Sequence, residues 1–160
     1  MTFSNYLQAT SRNNYKRRPD IEENNCVFCE KMTKKQTIVH QSENFFIVPA
    51  EFPYNVGHLM ICTKRHLKNL SELNEKENKE IFSVISKTIK ALEKSYNTSS
   101  FNVGLNLGAP AGATYEHFHL HIVPRWLGDS GFMELTANTR VLKETIEETT
   151  NKLKEIFEEI

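Results

Sequence analysis

The chain contains no run of eighteen apolar residues, so nothing in it reads as a transmembrane helix. It has no excess of either charge: 20 Lys plus Arg balance 20 Asp plus Glu. That balance removes any global pull toward nucleic acid or a membrane surface. Between Met1 and Asp20 there are charges but no apolar h-region, so a secretory signal is not expected. Cysteine is scarce. The 3 present are odd in number, and two sit in a C-x-x-C, which argues against a disulfide framework. They read as reduced thiols and point to the cytoplasm. No internal repeat or low-complexity tract is evident. At 160 residues one compact domain is the default, long enough to bury a substantial core.

What the chain does have is concentrated in His117-Phe118-His119-Leu120-His121-Ile122-Val123-Pro124-Arg125-Trp126. Half of the 6 histidines lie within five residues. On a β-strand successive side chains alternate between faces. A strand over about 116–124 therefore puts His117, His119 and His121 on one face and Phe118, Leu120 and Ile122 on the other. A neutral imidazole is a good nucleophile toward phosphorus when an acceptor holds its second nitrogen. Two other readings of the row stand beside phosphoryl or nucleotidyl transfer: metal chelation by alternate histidines, and a polar strand face without chemistry.

The motif resembles the signature of the histidine triad (HIT) nucleotide-binding superfamily. Its continuation Pro124-Arg125-Trp126-Leu127-Gly128-Asp129 is similar to the branch of diadenosine tetraphosphate phosphorylases and fragile-histidine-triad hydrolases. Phe52-Pro53-Tyr54-Asn55-Val56-Gly57-His58-Leu59-Met60 resembles the same branch. The resemblance runs from Cys26 to about Phe132. It implies an α+β fold, an antiparallel sheet of about five strands with two packing helices, preceded by a short arm and closed by a C-terminal helix. It further implies a homodimer formed through the long helix and a continuous sheet.

The expected organisation is a polar arm over 1–24 and a single HIT domain over 25–160. The arm carries a basic cluster, Arg12, Lys16, Arg17 and Arg18, read as a solvated tail or a phosphate contact, with a short helix near Tyr6-Leu7. Thr37 to His40 and Asn44 to Val48 read as a hairpin, and His58 to Cys62 as a strand. Asn74 to Tyr96 reads as a long helix: Asn74 and Glu77 form a capping box, and Ile81, Ile85, Ile89, Leu92 and Tyr96 make one apolar stripe. Phe101 to Leu107 alternates as a half-buried strand with Asn106 on its polar face. Thr139 to Ile160 reads as the terminal helix, capped by Asn138 or Thr139.

The resemblance also assigns roles. His119 attacks the α-phosphate and forms a nucleotidyl-imidazole, which splits one hard step into two. His121 stabilises the growing charge with the backbone N–H groups of Gly112, Ala113 and Thr114. His117 and His58 orient the row. His121 or Thr114 protonates the leaving group, and water or inorganic phosphate accepts the nucleotidyl group. Asn106, Gly112 and Thr114 match residues that contact the α-phosphate or ribose. Where the family commonly has Asn or Asp for a ribose hydroxyl, this chain has Ala50, with Glu51 or Asn55 as replacements. Trp126 and Phe132 read as a platform for a second base or as packing.

For Cys26-Val27-Phe28-Cys29, zinc or redox chemistry is open from the residues alone; no strand–helix unit of the redox type surrounds it. The resemblance supplies His66 and His117 as further zinc ligands, with His40 as a fallback and buried unliganded thiols as the alternative. Such a metal would be structural. No magnesium motif is visible, although substrates of this kind arrive as magnesium complexes. A nucleoside phosphoramidate hydrolase and a non-enzymatic nucleotide- or zinc-binding module are the rival functions. Nucleic acid is not an expected partner, because no second basic zinc module follows.

Overall fold

The computed structural model describes residues 26–35, 37–129, 131–137, 139 and 141–160. The expected arm over 1–24, with its basic cluster, lies outside the described residues, as does Asn138.

Five strands form one sheet: β1 (His40–Gln41), β2 (Phe45–Pro49), β3 (Leu59–Thr63), β4 (Ser100–Leu105) and β5 (His119–Arg125), in the order β1-β2-β3-β5-β4. Every neighbouring pair is antiparallel. β5 is therefore interior, paired on both edges. Alternation sorts the side chains onto two faces. Phe45, Ile47, Leu59, Ile61, Phe118, Leu120 and Ile122 point to one face and join the main core. Phe46, Val48, Met60 and Cys62 point to the other.

The long helix α2 (Glu75–Tyr96) and the terminal helix α4 (Ile146–Glu159) cover the first face. α2 begins where the capping box predicts: Asn74 accepts from the Glu77 N–H at 3.0 Å, and Glu77 accepts from the Asn74 N–H at 2.8 Å. Its stripe buries Ile81, Val84, Ala91 and Leu92, with Ile85, Ile89 and Tyr96 packed at the margin. α4 adds Leu153 and Phe157. Each large aliphatic side chain so buried contributes about 2 kcal/mol. The second face carries one short helix, α1 (Val27–Lys34), which sets Cys26 and Phe28 against the sheet.

Several boundaries differ from the sequence reading. β1 is only two residues long, and Thr37, at φ 56°, lies outside extended geometry. α1 was not foreseen. The triad strand starts at His119, so His117 precedes the ladder. The terminal helix starts at Ile146, capped by Thr145 in a capping box with Glu148 and not at Asn138 or Thr139. A separate short helix, α3 (Phe132–Ala137), fills part of the interval. β4 is less buried than expected: it ends the sheet, and Val103 is 45% exposed.

Candidate active site and metal centre

The histidines occupy the α1 side of the sheet, as the alternation requires. Register sets Cys62 opposite His119 and Met60 opposite His121 on β3. On β4, Gly104 stands opposite His121, and a Cβ there would touch nothing within 4 Å. The glycine thus leaves open space beside the row.

Hydrogen bonds fix each ring. His119 Nδ1–H donates to the carbonyl of His117 at 2.7 Å. The Nε2 lone pair is then the nucleophilic one, because a neutral imidazole protonated at Nδ1 is bare at Nε2. The Tyr54 N–H donates to His58 Nδ1 at 3.1 Å. His58 must then carry its proton on Nε2, which lies 2.9 Å from His121 Nδ1. His121 in turn keeps its own proton on Nε2. The His117 carbonyl thereby leaves a bare nitrogen on His119, and the chain Tyr54, His58, His121 sets a protonated one beside it on His121, with ring centroids 5.0 Å apart.

Burial keeps the rings neutral. It lowers the His58 pKa to about 3, with help from His121 and His119. Burial likewise lowers His119, opposed by its bond to the His117 carbonyl. His117 falls to about 4, again chiefly through burial.

Two clefts meet at this row. One is walled by Phe28, Phe52, Tyr54 and Tyr115 and reaches His58 and His121. Its aromatic walls offer stacking faces for a base. Lys31 and Glu51 also line it. The other cleft lies between Asn106, the Gly108–Thr114 loop, Lys68 and His119. Thr114 and Tyr115 border both clefts. The loop is tighter than its composition implied. It makes a 3-10 turn at Ala109–Ala111, and the Gly112 and Ala113 amides donate to the Ala109 and Gly108 carbonyls at 3.1 and 3.2 Å. In this conformation those two amides are spent inside the loop, contrary to the expectation of an anion nest. Thr114 is the hydroxyl-bearing residue at the meeting point.

Other expectations are corrected. Asn55 does not replace the missing ribose contact at Ala50. Its amide nitrogen donates to the Pro124 carbonyl at 3.2 Å and to Asp129 Oδ2 at 3.0 Å, tying the loop before His58 to the end of β5. Glu51 is exposed at the cleft. Trp126 and Phe132 line a separate groove that no triad histidine borders. Trp126 rests edge-on against Tyr96 at 6.4 Å.

Cys26, Cys29, His66 and His117 converge, their ligand atoms all within 4.8 Å of one another. Cys26 Sγ and Cys29 Sγ lie 3.4 and 3.6 Å from His117 Nδ1, and Cys29 Sγ lies 3.4 Å from His66 Nδ1. A tetrahedral zinc with bonds of about 2.3 Å to sulfur and about 2.0 Å to nitrogen holds such pairs about 3.5 Å apart. The outer contact fits as well. His117 Nε2–H donates to the Thr63 carbonyl at 2.8 Å, which turns the Nδ1 lone pair to the thiols. The residues present therefore fit the ion. His40 does not belong here: it stacks on Phe157 at 4.7 Å, across the sheet. Cys62 is fully buried, and burial pushes its thiol well up, so it is a core residue.

Sequence reasoning missed Phe28, Tyr54, Tyr115 and Thr63. Phe28 is hidden among the variable positions of C-x-x-C, and Tyr54 acts through its backbone.

The HIT domain family model matches residues 31–126, and the chain belongs to that family. Among named relatives, it is 34% identical over 117 residues to the AP-4-A phosphorylase of Mycobacterium tuberculosis, covering 72% of this chain and 60% of the relative. It is 36% identical over 104 residues to the nitrilase and fragile histidine triad fusion protein of Drosophila melanogaster, covering 65% of this chain and 23% of the fusion. The chain thus spans less than two thirds of the length of these relatives. Among solved structures, a zinc-bound histidine triad family protein from Mycobacterium smegmatis superposes with a TM-score of 0.71 at 25% identity, covering 86% of this chain and 96% of that one. No helix among the described residues is long and apolar enough to cross a membrane.

Proposed function

We propose that the protein is a nucleotidyl hydrolase or phosphorylase that cleaves dinucleoside polyphosphates of the diadenosine tetraphosphate type at the α-phosphate. His119 Nε2 attacks phosphorus, the bond from phosphorus to the polyphosphate oxygen breaks, and the polyphosphate leaves as its anion, stabilised by a hydrogen bond from His121 Nε2–H. Water or inorganic phosphate then takes the nucleotidyl group from His119. Water would make the protein a hydrolase, and phosphate a phosphorylase releasing ADP. The observation that carries this reading is the pairing of tautomers: the His117 carbonyl holds the proton on His119 Nδ1, while His58 directs the proton of His121 to Nε2. A nucleophile and a hydrogen-bond donor side by side suit a double displacement. Thr114 and Asn106 serve the α-phosphate from the polar cleft, with Gly112 and Ala113 shaping their loop.

In the same reading Cys26, Cys29, His66 and His117 hold a structural zinc. The ion supplies cross-linking of α1 to the sheet and takes no part in the chemistry. The substrate arrives as a magnesium complex, the protein works in the cytoplasm, and it pairs as a homodimer. The exposed β4 edge and Phe82, 74% exposed on the outer face of α2, support that pairing. The test of function is diadenosine tetraphosphate with and without inorganic phosphate, products separated by chromatography. ADP formed only with phosphate identifies a phosphorylase; AMP plus ATP identifies a hydrolase; no cleavage under either condition ends this reading.

One observation favours a second reading, hydrolysis of a nucleoside phosphoramidate. The Trp126 groove is separate from the histidines within one chain, and such a substrate needs no second base platform. Faster turnover of adenosine 5′-phosphoramidate than of the dinucleotide would select it.

A further inference from the structure

Helix α1 belongs to two sites at once. Its first turn supplies Cys26 and Cys29 to the thiol–imidazole cluster. The same turn supplies Val27 and Phe28, and the next turn Lys31, to the wall of the aromatic cleft. Phe28 is 1% exposed and wedged between them. Its ring centroid lies 5.5 Å from His117, 5.2 Å from His119 and 5.1 Å from Tyr115. It therefore touches a metal ligand, the candidate nucleophile and a residue that borders both clefts.

Among the described residues, a small apolar contact holds this helix to the sheet. Cys26 and Phe28 are buried there, with Cys29 and Met32 packed at the margin. Two of those four side chains are ligands. An isolated helix of eight residues does not persist in water. Metal binding at these ligands would therefore add to the free energy that docks α1. The cleft wall and the packing on His119 come with that docking. A second route runs in parallel: a bound metal would hold His117 at Nδ1 while Thr63 holds it at Nε2, and the His117 carbonyl accepts from His119 Nδ1–H.

We propose that Phe28 is a positioning residue through which occupancy of the Cys26–Cys29–His66–His117 centre sets the shape of the nucleotide cleft, so that metal and nucleotide bind with positive cooperativity. The inference rests on the nucleotide reading given under Proposed function. It goes beyond a structural ion, because linkage makes it reciprocal: whatever factor zinc adds to nucleotide affinity, the nucleotide must add to zinc affinity.

The test uses zinc and AMP as probes on the full chain. AMP dissociation constants are measured on zinc-loaded and chelator-stripped protein, and zinc affinity is measured by chelator competition with and without AMP. The expected coupling is at least about fivefold, equal in both directions. Phe28→Ala keeps its zinc but brings the factor toward one, and Phe28→Leu restores part of it. Should stripped protein unfold, release of zinc to a chelator from the folded, loaded protein serves instead, and AMP is expected to slow it by a similar factor. Equal AMP affinity with and without zinc overturns the inference. So does an unchanged factor in Phe28→Ala, or a chain that takes up no zinc. Failure of AMP to bind in either metal state would overturn the nucleotide reading itself, which separates the two failures.

Discussion

His58 offers the sharpest test of the proposed chemistry, because it touches no reacting atom in this account. It is 2% exposed, accepts the Tyr54 N–H at Nδ1, and sets His121 by a 2.9 Å contact from Nε2. His58→Ala leaves His121 in place but removes what holds its proton on Nε2. Losing a positioned donor to developing charge costs roughly 100- to 1,000-fold in kcat. Losing the partner that orients such a donor costs about 10- to 100-fold, and the lower range applies here. KM should change little, since the aromatic walls of the cleft remain. His58→Gln is the informative companion. Its one amide can accept the Tyr54 N–H through oxygen and donate to His121 through nitrogen, so kcat should return to within about tenfold of the parent. The assay is steady-state cleavage of diadenosine tetraphosphate by all three proteins, with folding checked by thermal melting. A folded His58→Ala protein with kcat within about twofold of the parent would refute the relay.

His119→Asn should abolish turnover while AMP affinity, measured by calorimetry, stays within a few fold; full activity would remove His119 as nucleophile. Stability should fall with acid. The folded pKa of His58, about 3, lies below the ordinary 6.5, so its contribution is fully present above 6.5 and is lost as pH falls toward 3. That amounts to about 2 kcal/mol between about pH 7.5 and about pH 5, read by urea unfolding, and His58→Gln should remove that share of the slope while the shares of His117 and His119 remain. Gly57 sits at φ +73° with the Tyr96 ring 2.6 Å from where a Cβ would be. Gly57→Ala should therefore cost about 2 kcal/mol or more and lower kcat through the adjoining His58; an unchanged melting temperature would contradict this. Metal analysis of protein purified without chelator should find about one zinc per chain, and the pair Cys26→Ser, Cys29→Ser should lose it; retention of zinc by that pair would exclude the site.

The sequence was most legible where periodicity and local chemistry agreed. Alternation in His117 to Ile122 placed imidazoles and core residues on opposite faces, and the Asn74–Glu77 box set the start of α2 to the residue. The terminal helix shows the limit. Its true cap, Thr145 with Glu148, has the same pattern as the box that was recognised, but the apolar Leu142 lies before it and drew the boundary too early. α1 was illegible because its contacts, Phe28 in the core and two thiols beside His66 and His117, join residues far apart along the chain. The glycine-rich loop was legible by place but not by conformation: small residues that could cradle an anion also close readily on themselves. The neutral state of the histidines was legible only as a requirement. Its chief cause is burial, which is tertiary.

The central claim is that the middle imidazole of the row bonds to phosphorus. Rapid mixing of the protein with diadenosine tetraphosphate, an alkaline quench to protect a phosphorus–nitrogen bond, and peptide mapping by mass spectrometry address it directly. The account predicts one adenylyl group on His119. Sustained turnover with that peptide unmodified, or with the group on another residue, would contradict it.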